Sequence, residues 1–316
     1  MKPPNYPRLI FMGTPDFALP SLKALLKAGE DVVSVYTQPD RPKGRDRKSQ
    51  PSPVKELALS YNLPVFQPVS LKESFVQEQL TEQKPDFLIV VAYGLILPQT
   101  VLDIPTWGAV NVHASLLPKY RGAAPIQWAI ISGEKETGIT TMRLDAGMDT
   151  GDILLQENEP IFETDTAQNL HDRLSELGGR LLLQTLALLR QGTLIPQPQN
   201  SSQACNAPPL KKAQGEIRWN LSALEIDRWI RGLSPWPGAF TFWQGKRLII
   251  HWSKPDSIEI LGTPGTINSL EKDRIQIQTG EGTLTVFEAQ LEGHRRMPSE
   301  ELLRGFALKA GDRLGR

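Results

Sequence analysis

At 316 residues the chain exceeds the usual size of one domain, so two domains are the expectation. Its 40% hydrophobic and 22% charged content is ordinary for a soluble globular protein, and the single cysteine excludes an intramolecular disulfide framework and fits a reducing cytosol. The net charge of zero conceals a mild asymmetry: 16 Lys/Arg stand against 13 Asp/Glu from Pro209 to Arg316, leaving 19 against 22 in the remainder, which points to a polyanion facing the C-terminal part. The N-terminal apolar run is too short for a signal peptide, and the longest apolar stretch, Phe87 to Leu97, is far below a membrane-spanning length. A cytoplasmic location is expected.

Leu9 to Met12 reads as a short buried strand ending at Gly13, and Asp16 to Lys27 carries helical spacing, with Pro20 in its first turn and Gly29 past its end. Asp31 to Thr37 is the next strand, Val54 to Tyr61 a helix, Leu63 to Phe66 extended, and Leu71 to Thr81 helical. Asp86 to Val91 is the near-continuous apolar run of a strand buried on both faces, and Gly108 to Val112 is another. Helix is expected over Ala124 to Ile131, strand over Gly138 to Leu144, extended pieces at Ile153–Gln156 and Pro160–Phe162, and a long helix from Thr166 to Arg190. This alternation predicts a doubly wound, mostly parallel α/β sheet. Residues 193–208, rich in Pro, Gln, Asn and Ser, read as a linker between a 1–192 domain and a 209–316 domain. After a helix at Leu224–Leu233, short strands near Phe240–Trp243, Arg247–Trp252, Gly265–Ile267, Arg274–Gln278 and Leu284–Leu291 predict a small β-barrel.

Ligands of open α/β sheets bind at the carboxyl ends of the strands. Asn111 and His113 close a predicted strand on one face, and Asp149 follows in a Gly-Met-Asp-Thr-Gly-Asp turn expected to leave its carboxylate exposed. An amide donor, a titratable base and an anion that can orient it are the parts of an acyl-transfer site. A structural Asn/His pair is the plain alternative. Asp145, Asp149 and Asp152 lack the alternating ligands and closing Glu of a calcium loop, so a catalytic or orienting carboxylate is read there in preference to a metal site. Gly13 does not complete a G-x-G-x-x-G fingerprint, which counts against a dinucleotide enzyme. Arg41, Lys43, Arg45, Arg47 and Lys48 crowd one loop, either a solvated charge run or an arm that contacts phosphates. Five of the seven tryptophans lie beyond Pro209 among cations, a mixture that suits RNA. Cys205, in a polar stretch, is read as incidental.

Asn111-Val-His113-Ala-Ser-Leu-Leu-Pro-Lys-Tyr-Arg-Gly and Asp145-Ala-Gly-Met-Asp149-Thr-Gly-Asp152 resemble the folate-dependent formyltransferase family. So do the N-terminal Phe-Met-Gly-Thr-Pro-Asp-Phe-Ala, the Pro-Asp-Arg-Pro-Lys-Gly-Arg loop with Pro51-Ser-Pro-Val-Lys55, Gln67-Pro68-Val-Ser-Leu71, and Ser234-Pro-Trp-Pro237 as a variant of Asn-Pro-Trp-Pro. The resemblance spans essentially the whole chain and is strongest up to Asp152. It implies a Rossmann-like catalytic domain followed by an OB-like barrel that grips tRNA, and transfer of a formyl group from 10-formyltetrahydrofolate to methionine on initiator tRNA. It further implies that Asn111, His113 and Asp149 are catalytic, with Asn111 and His113 donating to the carbonyl oxygen and Asp149 orienting the imidazole. The folate would lie against Tyr93, Gly94, Leu95, Ile96 and Leu97, against Ser115, Leu116, Leu117 and Pro118, and against Asp145, largely through loop backbone. Arg41, Lys43, Arg45, Arg47, Lys48, Lys211, Lys212 and Arg247 would contact the tRNA. No metal, no membrane and no obligate protein partner is implied. The chain departs from the family at Asn206 and Pro209, where relatives carry Tyr and Lys, and at Arg218, where an acidic residue is frequent. Two alternatives stay open: a sibling enzyme acting on a small amine such as an amino sugar or glycinamide ribonucleotide, and a catalytically idle tRNA-binding module.

Overall fold

The computed structural model describes residues 6–43, 48–257 and 262–315. In chain order the elements are β1 (Arg8–Gly13), α1 (Leu19–Lys27), β2 (Asp31–Tyr36), β3 (Arg41–Lys43), β4 (Lys48–Gln50), α2 (Pro53–Ser60), β5 (Val65–Phe66), α3 (Ser74–Glu82), β6 (Phe87–Val91), α4 (Gln99–Leu102), β7 (Ala109–His113), α5 (Pro125–Ile131), β8 (Glu136–Arg143), β9 (Ile153–Pro160) and α6 (Ala167–Gln191). Then come α7 (Ala223–Gly232), β10 (Ala239–Trp243), β11 (Lys246–Asp256), β12 (Ile267–Glu271), β13 (Arg274–Gln278), β14 (Thr283–Leu291), β15 (Met297–Pro298) and α8 (Ser299–Gly305). Contacts gather the chain into two units. One holds Met1–Gly122, Thr137–Pro160 and His171–Ala207; the other holds Ala123–Glu136, Ile161–Leu170 and Pro208–Arg316. Among the described residues no helix is long and apolar enough to cross a membrane.

The first unit is built on a seven-stranded sheet of order β5-β2-β1-β6-β7-β8-β9. β5, β2, β1, β6 and β7 run parallel, and β8 is antiparallel to β7. All five residues of β6 and of β7 are buried, as strands covered on both faces require. One face packs Ile10, Met12, Leu88 and Val90 on Leu71, Val76 and Leu80, and each fully buried aliphatic side chain contributes about 1.5–3 kcal/mol. On α6, Gly178 and Gly179 permit close approach: a Cβ would meet Val112 at 3.0 Å from the first and the Pro20 carbonyl at 2.9 Å from the second. The predicted helix over 71–81 begins instead at Ser74, because Leu71 is spent in the core and Ser70 Oγ turns the chain by accepting the Lys72 N–H at 3.1 Å. Of the two extended pieces predicted after Asp152, the first lies in β9, which runs on through residues 157–159 to Pro160, while Ile161 and Phe162 of the second fall outside it.

In the second unit six antiparallel strands run β10-β11-β14-β13-β12, with β15 on β14. The chain end closes this path: Leu314 N–H bonds Gly265 C=O, Ile267 N–H bonds Asp312 C=O, and Gly315 N–H reaches Phe242 C=O of β10. The barrel is filled by Leu248, Ile250, Ile267, Ile277, Leu284, Val286 and Leu291, with α7 supplying Ile226 and Ile230. α7 starts at a capping box in which Ser222 and Glu225 exchange bonds, and those bonds hold the Glu225 carboxyl below its ordinary range. α5 packs on α7 with Trp128 edge-on to Trp229.

Candidate active site

β7 carries Asn111 and His113 to its carboxyl end on one face, two residues apart, and both are buried. The imidazole is fixed at one nitrogen. His113 Nε2 lies 3.0 Å from the Tyr120 carbonyl, which only accepts, so Nε2 carries the proton and donates. Nδ1 is then the ring nitrogen that faces Asp149. Among the described residues no protein group bonds the Asn111 side-chain amide, which leaves its N–H groups for a bound oxygen.

Asp149 arrives by a longer route. Because β8 is antiparallel, its end lies at the start of β7, with Val110 opposite Arg143. The loop 144–152 is tied at its base by Arg143 N–H on the Asp152 carbonyl and internally by Asp145 Oδ1, which accepts from Gly147 N at 3.0 Å and Thr150 Oγ1 at 2.7 Å. It folds back and sets Asp149 Oδ1 3.7 Å from His113 Nδ1. That spacing is ion-pair reach and too long for a hydrogen bond. Oδ2 accepts the Gly122 N–H at 2.8 Å. The carboxylate, expected to be exposed, has a side chain only 15% exposed, since Gly122 and His113 cover it. Its backbone takes φ +54°, a conformation that L residues other than Asn and Asp rarely adopt. The Asn111 amide, on the same face of β7 two residues away, stands beside the His113 and Asp149 pair in the chain's own geometry.

The residues expected to hold folate divide by how they face the cleft. Tyr93 and Leu97 point into the core, so that burial pushes the Tyr93 phenol well above its ordinary range. The Tyr93 carbonyl accepts from Thr14 Oγ1 at 2.9 Å and from Gln38 Nε2 at 3.2 Å. Gly94 sits at φ +84°, where a Cβ would lie 2.3 Å from Gln38 Nε2, and Ile96 is 82% exposed. Ser115 and Leu117 are buried, with Ser115 Oγ donating to the Lys119 carbonyl and Leu117 N–H donating to Thr140 Oγ1; Leu116 and Pro118 are half-buried and Asp145 is exposed.

The basic loop is a β3–β4 hairpin with Lys43 opposite Lys48; Arg45 and Arg47 fall outside the described residues. Arg41 is exposed and donates to Gln38. The hairpin's root is braced. Lys55 Nζ meets Asp40 Oδ2 at 2.6 Å and Gln67 Oε1 at 2.7 Å, while Gln67 Nε2 reaches Asp40 Oδ1 at 2.7 Å and the Gln38 carbonyl at 2.9 Å. Bonds from Lys55 and Gln67 hold the Asp40 carboxyl below its ordinary range. In the second unit Lys211 and Lys212 are exposed, whereas Arg247 lies 3.9 Å over the Phe240 ring with its Nε buried. Tyr120, Arg121 and Gly122 enter the sequence analysis only as the end of a motif, with no role assigned, and Gln199 enters it with none at all. Gln199 binds the carbonyls of Asp149 and Gly151, and only composition, which read its segment as a linker, spoke to it.

A mostly parallel sheet followed in the chain by an antiparallel β-barrel is the order in which the comparisons with known proteins also place two family domains. The family described as formyl transferase matches residues 7–186, and its C-terminal domain matches residues 209–307. The chain belongs to the formyl transferase family. Its full-length relatives are methionyl-tRNA formyltransferases: that of Pelotomaculum thermopropionicum is 51% identical over 98% of this chain and 98% of its own, and that of Geobacter sulfurreducens is 47% identical over 98% and 96%. Among solved structures, the N-formyltransferase from Helicobacter canadensis, in complex with folinic acid and dTDP-3-aminofucose, shares the fold at a TM-score of 0.67 and 21% identity, over 90% of this chain and 99% of that one.

Proposed function

We infer that this protein transfers a formyl group from 10-formyltetrahydrofolate to the α-amino group of methionine on initiator tRNA. The observation that carries the chemistry is the Asp149 carboxylate 3.7 Å from His113 Nδ1, with the Asn111 amide two residues away on the same face of β7. The folate substrate supplies an activated formyl group on N10. Asn111 donates to the formyl oxygen as the amine adds to the carbon and negative charge grows there, a contribution of about 3–4 kcal/mol for one well-placed donor. His113 Nδ1 accepts the amine proton, with Asp149 Oδ1 beside it to stabilise the imidazolium. The same Nδ1–H then delivers the proton to N10 as the C–N10 bond breaks, so the new C–N bond, the lost C–N10 bond and the single proton balance. Gly122 keeps the carboxylate aimed.

The folate would lie against the 93–97 backbone and the Asp145 loop, where Ile96 offers apolar surface. Arg41, Lys43, Arg45, Arg47 and Lys48 form the arm toward the acceptor end, and Lys211 and Lys212 add contacts beyond the catalytic region. Residues 1–192 are assigned the chemistry and 209–316 the grip on tRNA, in the cytoplasm. Formyl transfer measured on charged initiator tRNA, free methionine and small amines tests this. Turnover confined to the charged tRNA supports it, and equal turnover on a small amine refutes the assigned acceptor.

A further inference from the structure

Resting on the reading of His113 and Asp149 as catalytic groups, we propose that Gln199 is a positioning residue for Asp149, and that residues 197–207 form a strap that fixes both loops of the site rather than a passive connection. Gln199 uses every polar atom of its carboxamide. Nε2 donates to the Asp149 carbonyl at 2.9 Å and to the Gly151 carbonyl at 2.7 Å. Oε1 accepts from Arg121 Nε at 3.1 Å and Nη2 at 2.7 Å. The next residue, Gly122, gives its N–H to Asp149 Oδ2. Asp149 is therefore gripped at its main chain through Gln199 and at its carboxylate through Gly122, with Arg121 joining the two grips. The grip falls on a residue at φ +54°, a conformation that Asp adopts more readily than most other L residues.

The rest of the strap repeats the pattern. Gln197 and Ile153 exchange both backbone bonds at 2.8 Å, Arg121 N–H bonds the Cys205 carbonyl at 2.9 Å, and Ala207 N–H bonds the Arg121 carbonyl at 2.7 Å. Tyr120 N–H donates to Cys205 Sγ, while the Tyr120 carbonyl takes the His113 proton. One segment thus sets the partner of the imidazole and the partner of the carboxylate. The chemistry selects a carboxamide at 199: Glu keeps the acceptor for Arg121 but loses both donors, and Leu loses all four bonds.

The test is steady-state and single-turnover formyl transfer to charged initiator tRNA by the full chain, as parent, Gln199→Leu, Gln199→Glu, Asp149→Ala and the double variant Asp149→Ala/Gln199→Leu, with thermal unfolding of each. Both Gln199 variants should lower kcat by about tenfold or more, with KM for tRNA and for folate changed less than about twofold, because binding surfaces stay and only the geometry of the reacting groups slips. In the Asp149→Ala background the Gln199→Leu change should cost less than about twofold, since its effect runs through Asp149. Two results would overturn the proposal: parent-like kcat in both Gln199 variants, or the same loss of rate in both backgrounds, which would make Gln199 merely structural. If Gln199→Leu does not fold, the near-isosteric Gln199→Glu decides alone. Parent-like turnover by Asp149→Ala would instead sink the reading of Asp149 itself, and the proposal with it.

Discussion

The chemistry turns on which atoms of His113 remain available. Its Nε2–H is committed to the Tyr120 carbonyl, so the reacting edge is Nδ1, an acceptor until it takes a proton and a donor afterwards. The sequence reading has His113 donate to the carbonyl oxygen; in the reaction proposed above it moves a proton through Nδ1, and Asn111 is the donor. Two substitutions separate these roles. His113→Ala should lower kcat by about 10²- to 10⁴-fold, and Asn111→Ala by about 10²- to 10³-fold. Neither should shift the tRNA dissociation constant by more than about twofold, because both groups act on charge and protons that move only during reaction. Filter binding beside single-turnover rates checks this; a large loss of tRNA affinity in His113→Ala would make that residue structural.

Among the elements, the β3–β4 hairpin is where sequence motif and structure meet least obviously. Lys55 and Gln67 look like two more polar residues, yet they clamp Asp40 at the hairpin root, and Gln38 carries the clamp to the Tyr93 carbonyl of the 93–97 loop. Arm and folate loop therefore share one hydrogen-bonded base. Arg41→Ala and Arg45→Ala should each weaken tRNA use and reduce the slope of log K against log salt by about 1 or less, as expected when one phosphate contact is lost. Lys55→Met should reproduce that loss without removing an arm cation, because Asp40 loses its partner. Titrations from low to moderate salt decide the matter, and an unchanged slope in all three variants would return the arm to a solvated charge run.

For the whole molecule, pH reports on the barrel. Burial lowers the His251 pKa below its ordinary 6.5, opposed by the bond to Gln290. The unfolded chain then takes the proton more readily than the folded one, so stability is full above 6.5 and declines as pH falls from there toward the folded value. Replacing His251 with Gln should flatten the decline of the unfolding temperature between pH about 7 and about 5. An unaltered pH slope in that variant would remove His251 as its source.

Much of this molecule was legible from local pattern. β6 and β7 announced themselves as continuous apolar runs because both faces are covered, and Asn111 and His113 at alternate positions had to share a face. Pro20 and Gly29 at its ends placed α1 to within a few residues, since turn chemistry is local. What local pattern does not carry is return. That the loop after an antiparallel β8 doubles back to bring Asp149 to His113, that the chain end closes the barrel between β12 and β10, and that residues 123–136 and 161–170 gather with the second unit are outcomes of long-range packing. The polar run at 197–207 is the sharpest case. Composition reports only that it cannot build a core. Its bonds to Tyr120, Arg121, Asp149 and Gly151 exist because the folded sheet brings these residues within reach of one carboxamide and one stretch of main chain.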